Sequence, residues 1–208
     1  MPPIVLTFAA SDPTGGAGLQ ADLLTLAALG CHPLSVVTGL TVQDTRGVEC
    51  LEAVASALVT RQANALLAES KVAAFKAGVL ASPDNVRAVA AIAAQHENVP
   101  LVLDPVLASG RGDALASGAV RAALMEALIP LTTLLTPNTL EAEQLGGAQR
   151  LLDAARVLHG EPGHHRQRVA AERRQREQIG LQSRSAGGIG RSERQNDRWH
   201  ELISGPIL

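Results

Sequence analysis

Short apolar runs rich in β-branched residues alternate with longer helical patterns along residues 4–158. The predicted strands are residues 4–8, 34–41, 72–77, 101–103 and 132–136, and the predicted helices are residues 19–29, 54–67, 86–94, 119–128, 140–145 and 151–158. This alternation predicts βαβ units, because parallel neighbours need long crossover connections. We therefore expect an α/β fold with a mostly parallel central sheet and helices on both faces.

The alternation stops near Gly160, where the composition also changes. Residues 1–159 contain 32 alanines and carry a net charge of −5, whereas residues 160–208 contain nine arginines, no lysine and three alanines and carry +3. Between residues 161 and 178 the only aliphatic side chain larger than alanine, proline aside, is Val169. Such a segment buries too little apolar surface to offset the entropy of ordering it. We expect a domain at residues 1–159 and a tail at residues 160–208 that is disordered or not native to the fold.

The composition argues against several classes of protein. No apolar run approaches the roughly 20 residues of a membrane-spanning helix, and the start of the chain lacks the features of a signal peptide. The net charge of −2 gives no support for a nucleic-acid partner. Two cysteines without a CxxC pair argue against a disulfide scaffold or a structural zinc site. We expect a cytoplasmic protein with neither a membrane nor a nucleic acid as its partner.

A glycine-rich segment, Ser-Asp-Pro-Thr-Gly-Gly-Ala-Gly at residues 11–18, links the first predicted strand to the first helix. Glycines let backbone N–H groups approach a ligand closely, and the start of a helix favours negative charge. The segment matches neither of the common nucleotide-binding fingerprints. It is either part of a ligand site or a plain turn in which Asp12 caps the approach to the helix.

A second polar segment, residues 41–47, follows the second predicted strand. Its Gln43 can donate and accept hydrogen bonds at once, which suits the edge of an aminopyrimidine or an amide ligand. The alternative is an ordinary polar turn after a strand.

Three further polar side chains follow the later strands. Asp104 comes directly after residues 101–103, and Asn138 and Glu141 follow residues 132–136. The carboxyl ends of parallel strands meet at one edge of the sheet, where ligands bind in such folds. Oxygen ligands of this kind suit Mg²⁺, which keeps most of its waters and is shared with substrate phosphates. The alternative is a helix cap, because Asn138 and Glu141 have the spacing of a capping box.

Together these segments give residues 4–158 a resemblance to the ribokinase-like kinases, and most closely to the hydroxymethylpyrimidine/phosphomethylpyrimidine kinases of thiamine biosynthesis. The strings that carry it are AASDPTGGAGLQADLLTLAALG (9–30), VVTGLTVQDTRGV (36–48), FKAGVL (75–80), VLDPV (102–106) and LLTPNTLEAEQL (134–145). They occur in the order and at the spacing of that family. The resemblance implies a ribokinase-like three-layer αβα sandwich whose C-terminal part is missing here.

The resemblance also implies a reaction and its site. The γ-phosphoryl group of ATP, bound with Mg²⁺, is transferred to the hydroxymethyl group of the pyrimidine and then to the resulting phosphate. Gln43 matches the residue that reads the pyrimidine, and the residues implied around it are Asp12, Gly15, Ala17, Leu80 and Val106. The residues implied on the ATP side are Asp104, Asn138 and Glu141, of which Asp104 and Glu141 are the weak candidates for Mg²⁺ ligands. A homodimer is a possible assembly, because members of the family commonly form dimers.

The sequence departs from the family pattern at several positions. Asp44 stands where the family usually has Asn, Leu80 and Leu107 stand where it often has Met, and Ser-Gly-Arg-Gly at residues 109–112 replaces an Ala-Lys-Ser-Gly-type loop, which weakens a phosphate contact. After residue 159 the family's Gly-Thr-Gly-Cys or Gly-Thr-Gly-Asp motif, which supplies the anion hole and the catalytic base, has no counterpart. We read the glycines of residues 185–190 as a linker, His164 and His165 as a solvated pair, and the tail as the product of a changed reading frame.

These observations predict an ATP-dependent pyrimidine kinase whose activity is impaired. One alternative is a pyridoxal kinase of the same fold, against which Gln43 and the SDPTGGAG string argue. Another is a protein that binds a pyrimidine without turning it over. Nucleic-acid binding by the tail is disfavoured, since its positive charge is small and only Trp199 is able to stack on a base.

Overall fold

The computed structural model describes residues 1–109 and 112–146. In this part of the chain, six strands form one sheet in the order β3-β2-β1-β4-β5-β6. The strands are β1 Ile4–Ala10, β2 His32–Asp44, β3 Gly47–Ala53, β4 Ala74–Ala77, β5 Leu101–Leu103 and β6 Leu134–Leu135. All neighbouring strands are parallel except β2 and β3. The predicted α/β fold with a mostly parallel sheet is confirmed.

Helices connect the parallel strands, as the alternation predicted. The α-helices of the described residues are α1 Gly18–Ala28, α2 Ser56–Leu67, α3 Pro83–Gln95, α4 Gly118–Ala123 and α5 Thr139–Gln144. After α4 the chain continues through a π-helical turn, Leu124–Leu128, and a 3₁₀ turn, Ile129–Leu131. The single helix predicted at residues 119–128 is thus composite. Pro130 has no N–H to donate, and the helical segment ends at the next residue.

The start of α3 follows from its local sequence. Ser82 lies at the N-cap position in an extended conformation, and its hydroxyl accepts a hydrogen bond from the Asn85 N–H at 3.1 Å. Pro83 occupies the first helical position, where no N–H is needed, and Asp84 places a negative charge in the first turn. The helix predicted at residues 86–94 is confirmed and begins three residues earlier, at Pro83.

The sequence pattern did not predict β3, and β2 is longer than expected. The polar segment after the second predicted strand is not a plain loop, because β2 continues to Asp44 and pairs antiparallel with β3. The turn between the two strands is stabilised locally, since the Asp44 carboxylate accepts the Arg46 N–H at 2.7 Å and forms an ion pair with its guanidinium. The hairpin extends the sheet beyond the carboxyl end of β1.

Aliphatic side chains from the sheet and the helices form the core. Leu6, Phe8 and Phe75 are almost fully buried, and the two phenylalanine rings meet edge to face with their centroids 6.0 Å apart. On α1, Leu19 and Leu26 are buried and face the core. None of the described helices has the length and hydropathy needed to cross a membrane.

Several predictions lie outside the described residues. They are the helix at residues 151–158, the tail at residues 160–208 with its histidine pair and glycine-rich stretch, and the substitution at residues 110–111. The boundary at residue 159 therefore stays a prediction.

Candidate functional site

The sheet has a point at which its strand order reverses. From β1 the chain crosses to β2 on one side, and β4 then pairs with β1 on the other side, followed by β5 and β6. In open parallel sheets ligands bind in the crevice at the carboxyl ends of the strands beside such a reversal. Here that crevice lies between the loop after β1, residues 11–17, and the loop after β4, residues 78–82.

Asp12 organises the loop after β1. Its side chain is buried, and its Oδ1 accepts the Thr14 N–H at 2.9 Å while its carbonyl accepts the Gly15 N–H at 3.0 Å. Its own N–H donates to Gln20 Oε1 on α1 at 2.7 Å. Asp12 thus forms an Asx turn that shapes the loop, and within the described residues it accepts no bond from α1.

Gly18 allows this loop to pass close to β1. Its φ is +58°, and a Cβ at this position would lie 2.6 Å from the Ala10 carbonyl oxygen. A larger residue is therefore excluded by both the backbone conformation and the contact. The N-cap residue of α1, Ala17, makes no side-chain capping bond. The N-terminus of α1 points to the same crevice, which favours a negatively charged or polar ligand.

Gln43 lies beside the glycine-rich loop and not in a loop of its own. It is on β2, two residues after Thr41 and on the same side of the strand. The Thr41 hydroxyl oxygen lies 2.8 Å from the Ser11 carbonyl oxygen and 3.3 Å from Gln43 Oε1. A hydroxyl has one proton, and the shorter contact takes it, so the Thr41 hydroxyl does not donate to Gln43 Oε1. The structure brings the first two predicted segments together.

The loop after β4 is fixed from several sides. The Val79 carbonyl accepts the Ala10 N–H at 3.0 Å and the Thr38 hydroxyl at 2.6 Å. Ala81 has a φ of +67°, and the Ser82 N–H donates across it to the Leu80 carbonyl at 2.8 Å. This is a γ-turn in the strained left-handed conformation, of the kind that is found at functional sites.

The Asn85 side chain stabilises the loop after β4 through hydrogen bonds. Its Nδ2 lies 2.9 Å from the Thr38 carbonyl oxygen and 3.0 Å from the carbonyl oxygens of Val54 and Leu80. Since all three neighbours are acceptors, the orientation of the amide is determined, and its Oδ1 makes no hydrogen bond within the described part of the chain. Asn85 thereby ties β2, the segment before α2 and the β4 loop together.

The structure buries Leu80, one of the residues implied around the pyrimidine. Its side chain is 2% exposed and belongs to the main hydrophobic cluster, whereas the preceding Val79 is half-buried. Of the other residues implied there, Gly15 and Val106 are half-buried and Ala17 is exposed at the carboxyl edge.

The third predicted cluster follows β5 and β6 at the same edge. Asn138 caps α5, with its Oδ1 accepting the Glu141 N–H at 2.9 Å, while Glu141 Oε2 accepts the Asn138 N–H at 2.7 Å. The capping box that the spacing predicted is present. Asp104 is half-buried and its N–H donates to the Ala77 carbonyl at 2.9 Å. Among the described residues no group of three or more side chains forms a metal cage.

A buried ion pair near the crevice was not predicted. The Lys76 ammonium lies 2.8 Å from Asp22 Oδ2, which also accepts the Thr7 hydroxyl at 2.8 Å. The two charged side chains are 6% and 9% exposed. The signal was present in the sequence, because a lone lysine interrupts an apolar strand pattern and a lone aspartate interrupts the apolar face of α1. The pair joins α1 to β1 and β4 beneath the two crevice loops.

Both cysteines are free thiols, as expected. Cys31 is buried at the opposite end of β2 from the crevice, and burial raises the pKa of its thiol. Cys50 is half-buried on β3. Cys50 pairs with Val42 in the hairpin, beyond the end of β1.

Comparison with known proteins identifies relatives of this chain. The family model described as phosphomethylpyrimidine kinase matches residues 12–161. A hydroxymethylpyrimidine/phosphomethylpyrimidine kinase of Mycobacterium bovis is 44% identical over 164 residues, which are 76% of this chain and 60% of the relative. The thiamine biosynthesis bifunctional protein ThiED of Geobacter sulfurreducens is 43% identical over 161 residues, 74% of this chain and 33% of that protein. The chain thus spans about 60% of the first relative's length.

Solved structures share the fold. The phosphomethylpyrimidine kinase of Clostridium difficile 630 superimposes with a TM-score of 0.68 at 33% identity, covering 73% of this chain and 71% of the other. The pyridoxal kinase of Staphylococcus aureus in complex with AMP-PCP and pyridoxal superimposes with a TM-score of 0.64 at 25% identity, covering 74% and 60%. The ribokinase-like fold expected from the resemblance is confirmed by these neighbours.

Proposed function

The chain belongs to the phosphomethylpyrimidine kinase family, and from this premise we propose that it binds 4-amino-5-hydroxymethyl-2-methylpyrimidine and its monophosphate for ATP-dependent phosphorylation in thiamine biosynthesis. The observation that carries the proposal is the position of Gln43. Its amide lies beside the glycine-rich loop at the reversal of the sheet, where a heterocycle with adjacent donors and acceptors would pair with it.

The pyrimidine would lie between the loops after β1 and β4. Asp12 shapes the first loop through its hydrogen bonds, so its proposed role is to position Gly15 and Ala17 beside the ligand. The apolar contact is assigned to Leu80, which is buried in the loop after β4. Val106, half-buried after β5, would contact the opposite edge of the ring.

The phosphoryl donor would lie on the β5–β6 side. The strands β5 and β6 are two and three strand spacings from β1, roughly 10 and 14 Å. Asp104, Asn138 and Glu141 are the residues proposed there. The relatives' description as kinases and the ATP analogue named with the pyridoxal kinase support the use of ATP.

The donor chemistry of this side fits Mg²⁺ bound through its water shell. Two carboxylates are present, and one Glu141 oxygen is already used by the Asn138 N–H, so a complete protein cage is not expected. When bound, the ion would neutralise charge on the phosphates. Asp104 and Glu141 would hold its waters, and Asn138 would keep Glu141 in place through the capping box.

The proposed activity of this chain is slow. In the family the anion hole and the catalytic base come from a Gly-Thr-Gly motif, and residues 160–208 contain no such motif. The match to the family ends at residue 161, which supports a boundary close to residue 159 between the kinase domain and the tail. Residues 1–159 would then bind substrate without completing the transfer site.

The remaining assignments follow from the same premise. The partners would be the pyrimidine and ATP, with a homodimer as a possible assembly, and the two free cysteines support a reducing cytoplasm as its compartment. Phosphorylation of pyridoxal is the second candidate, because solved pyridoxal kinases share the fold.

Calorimetric titration of the full chain with the hydroxymethylpyrimidine and with pyridoxal separates these functions. We expect binding of the pyrimidine and weaker binding of pyridoxal. ADP formation measured on the same sample then distinguishes a slow kinase from a protein that only binds. Tighter binding of pyridoxal, or no binding of the pyrimidine, would refute the proposal.

A further inference from the structure

The loop between β5 and α4 reaches across to the β2–β3 hairpin. Asp113 Oδ2, in this loop, accepts the Val48 N–H of β3 at 3.2 Å. It also accepts the Ser109 hydroxyl at 2.7 Å. The contact joins residues 65 positions apart. It connects the hairpin to the loop after β5 by a bond that is not part of the strand pairing.

The loop is built to present this carboxylate. The Ser109 N–H donates to the Asp113 carbonyl at 2.8 Å, and the Asp113 N–H donates to the Ser109 hydroxyl at 3.1 Å. An antiparallel bridge between Ala108 and Ala114 closes the loop just outside these two residues. Asp113 is therefore bonded to Ser109 of its own loop as well as to the hairpin.

The hairpin is contacted directly opposite Gln43. Val48 is the partner of Gln43 in the β2–β3 pairing, and the register shifts beside it, between Val42 and Gln43. Gly47 permits the approach, since a Cβ there would lie 3.1 Å from Asp113 Oδ2. Beyond the end of β1, the hairpin is held by Ser11 on one strand and by Asp113 on the other.

We propose that Asp113 is a positioning residue for the pyrimidine site. By accepting the Val48 N–H, it fixes the hairpin relative to the β5 loop and so holds the Gln43 amide at the distance that the ligand requires. This inference rests on the proposed function. A hydrogen bond to a carboxylate is about twice as strong as one between neutral groups, so a charged residue suits this role.

The test compares Asp113→Ala and Asp113→Asn with Asp84→Ala in the full chain. Asp84 is a matched control, because its carboxylate forms an exposed pair with Arg87 on α3, away from the hairpin. Two quantities are measured: the dissociation constant for the hydroxymethylpyrimidine, and the exchange rate of the Val48 amide proton relative to amides of β1.

For Asp113→Ala we expect about tenfold weaker pyrimidine binding, the loss typical of one charge-assisted hydrogen bond. Val48 exchange should be faster by a similar factor, with β1 amides unchanged. Asp113→Asn should restore part of both, because an amide oxygen still accepts the N–H. Ser109→Ala should have a smaller effect in the same direction.

Three outcomes would overturn the inference: faster Val48 exchange with unchanged affinity, unchanged Val48 exchange, or faster exchange across β1 as well, which would indicate a general loss of stability. Failure of the proposed function looks different. In that case the unaltered chain does not bind the pyrimidine, and the positioning role fails with it, whatever the exchange rates.

Discussion

The two sides of the carboxyl edge differ in how their polar side chains are held. On the β1–β2–β4 side, bonds between distant segments fix the site: Ser11 with Thr41, Asn85 with Thr38, and Lys76 with Asp22. On the β5–β6 side, Asn138 and Glu141 bond to each other within one helical turn. The first side is determined by tertiary structure and the second by local sequence. A site for binding can therefore be complete where a site for transfer is not.

The largest expected effect tests this difference in completeness. We expect the chain as given to form ADP with the pyrimidine at a rate near background, and a chimera with residues after 159 replaced by the corresponding part of the Mycobacterium bovis relative to be much faster. An anion-hole donor is typically worth about 10²–10³ in rate, and a general base about 10²–10⁴. Steady-state ADP release measures the turnover of the given chain and of the chimera.

The control for the chimera is residues 1–159 alone, which tests whether the tail contributes anything. Affinity for the pyrimidine should be similar in all three proteins. Equal turnover by the given chain and the chimera would show that the tail, or a residue already present in the domain, supplies the missing chemistry.

The second effect concerns the buried ion pair between Lys76 and Asp22 beneath the crevice loops. Lys76→Met should lower the free energy of unfolding by about 3–5 kcal/mol, because it leaves the Asp22 carboxylate buried without its counter-charge. Urea unfolding followed by circular dichroism measures the change.

The matched control is Arg87→Met, which removes the cationic partner of an exposed ion pair with Asp84. Its side chain and that of Asp84 are 61% and 76% exposed, and such pairs contribute under about 1 kcal/mol. If the two variants cost the same, the interior pair does not support the crevice loops as described.

The third effect isolates the ligand contact. Gln43→Ala should weaken pyrimidine binding by about 1–3 kcal/mol, since the polar edge of the ligand loses its partner, while the stability of the fold changes little. Titration calorimetry gives the dissociation constant, and thermal unfolding gives the stability.

Gln62→Ala is the control for that substitution. Gln62 is on α2, outside the loops that form the crevice, and its amide makes a long 3.5 Å contact with the Leu58 carbonyl. The same dissociation constant for Gln43→Ala and Gln62→Ala would remove Gln43 from the site.

The sequence predicted the elements that depend on local signals. The Ser82 cap, the Asn138–Glu141 capping box and the strands at residues 4–8 and 101–103 all follow from short patterns. The placement of the three polar clusters at the carboxyl edge followed from the expectation of a mostly parallel sheet.

What the sequence did not predict depends on pairing across the chain. The β3 strand has a weak alternation, with Glu49 and Glu52 among its apolar residues, and becomes a strand because β2 pairs with it. The contact from Asp113 to Val48 joins residues with no sequence relation.

The smallest expected effect lies at the opposite end of the sheet from the crevice. Burial raises the pKa of the Cys31 thiol above its ordinary value of 9.0, so the folded chain holds this proton more tightly than the unfolded chain does. Below that value both states are protonated and stability is unaffected by this group. As the pH rises past it, the unfolded state ionises first and is stabilised. The free energy of unfolding should therefore fall more steeply between about pH 8 and pH 10 in the given chain than in Cys31→Ala. Urea unfolding at both pH values measures the two slopes, and pyrimidine affinity at a fixed pH should be the same in both proteins. Parallel slopes would mean that the thiol is hydrated in the fold, and a change in affinity would mean that the two ends of β2 are coupled.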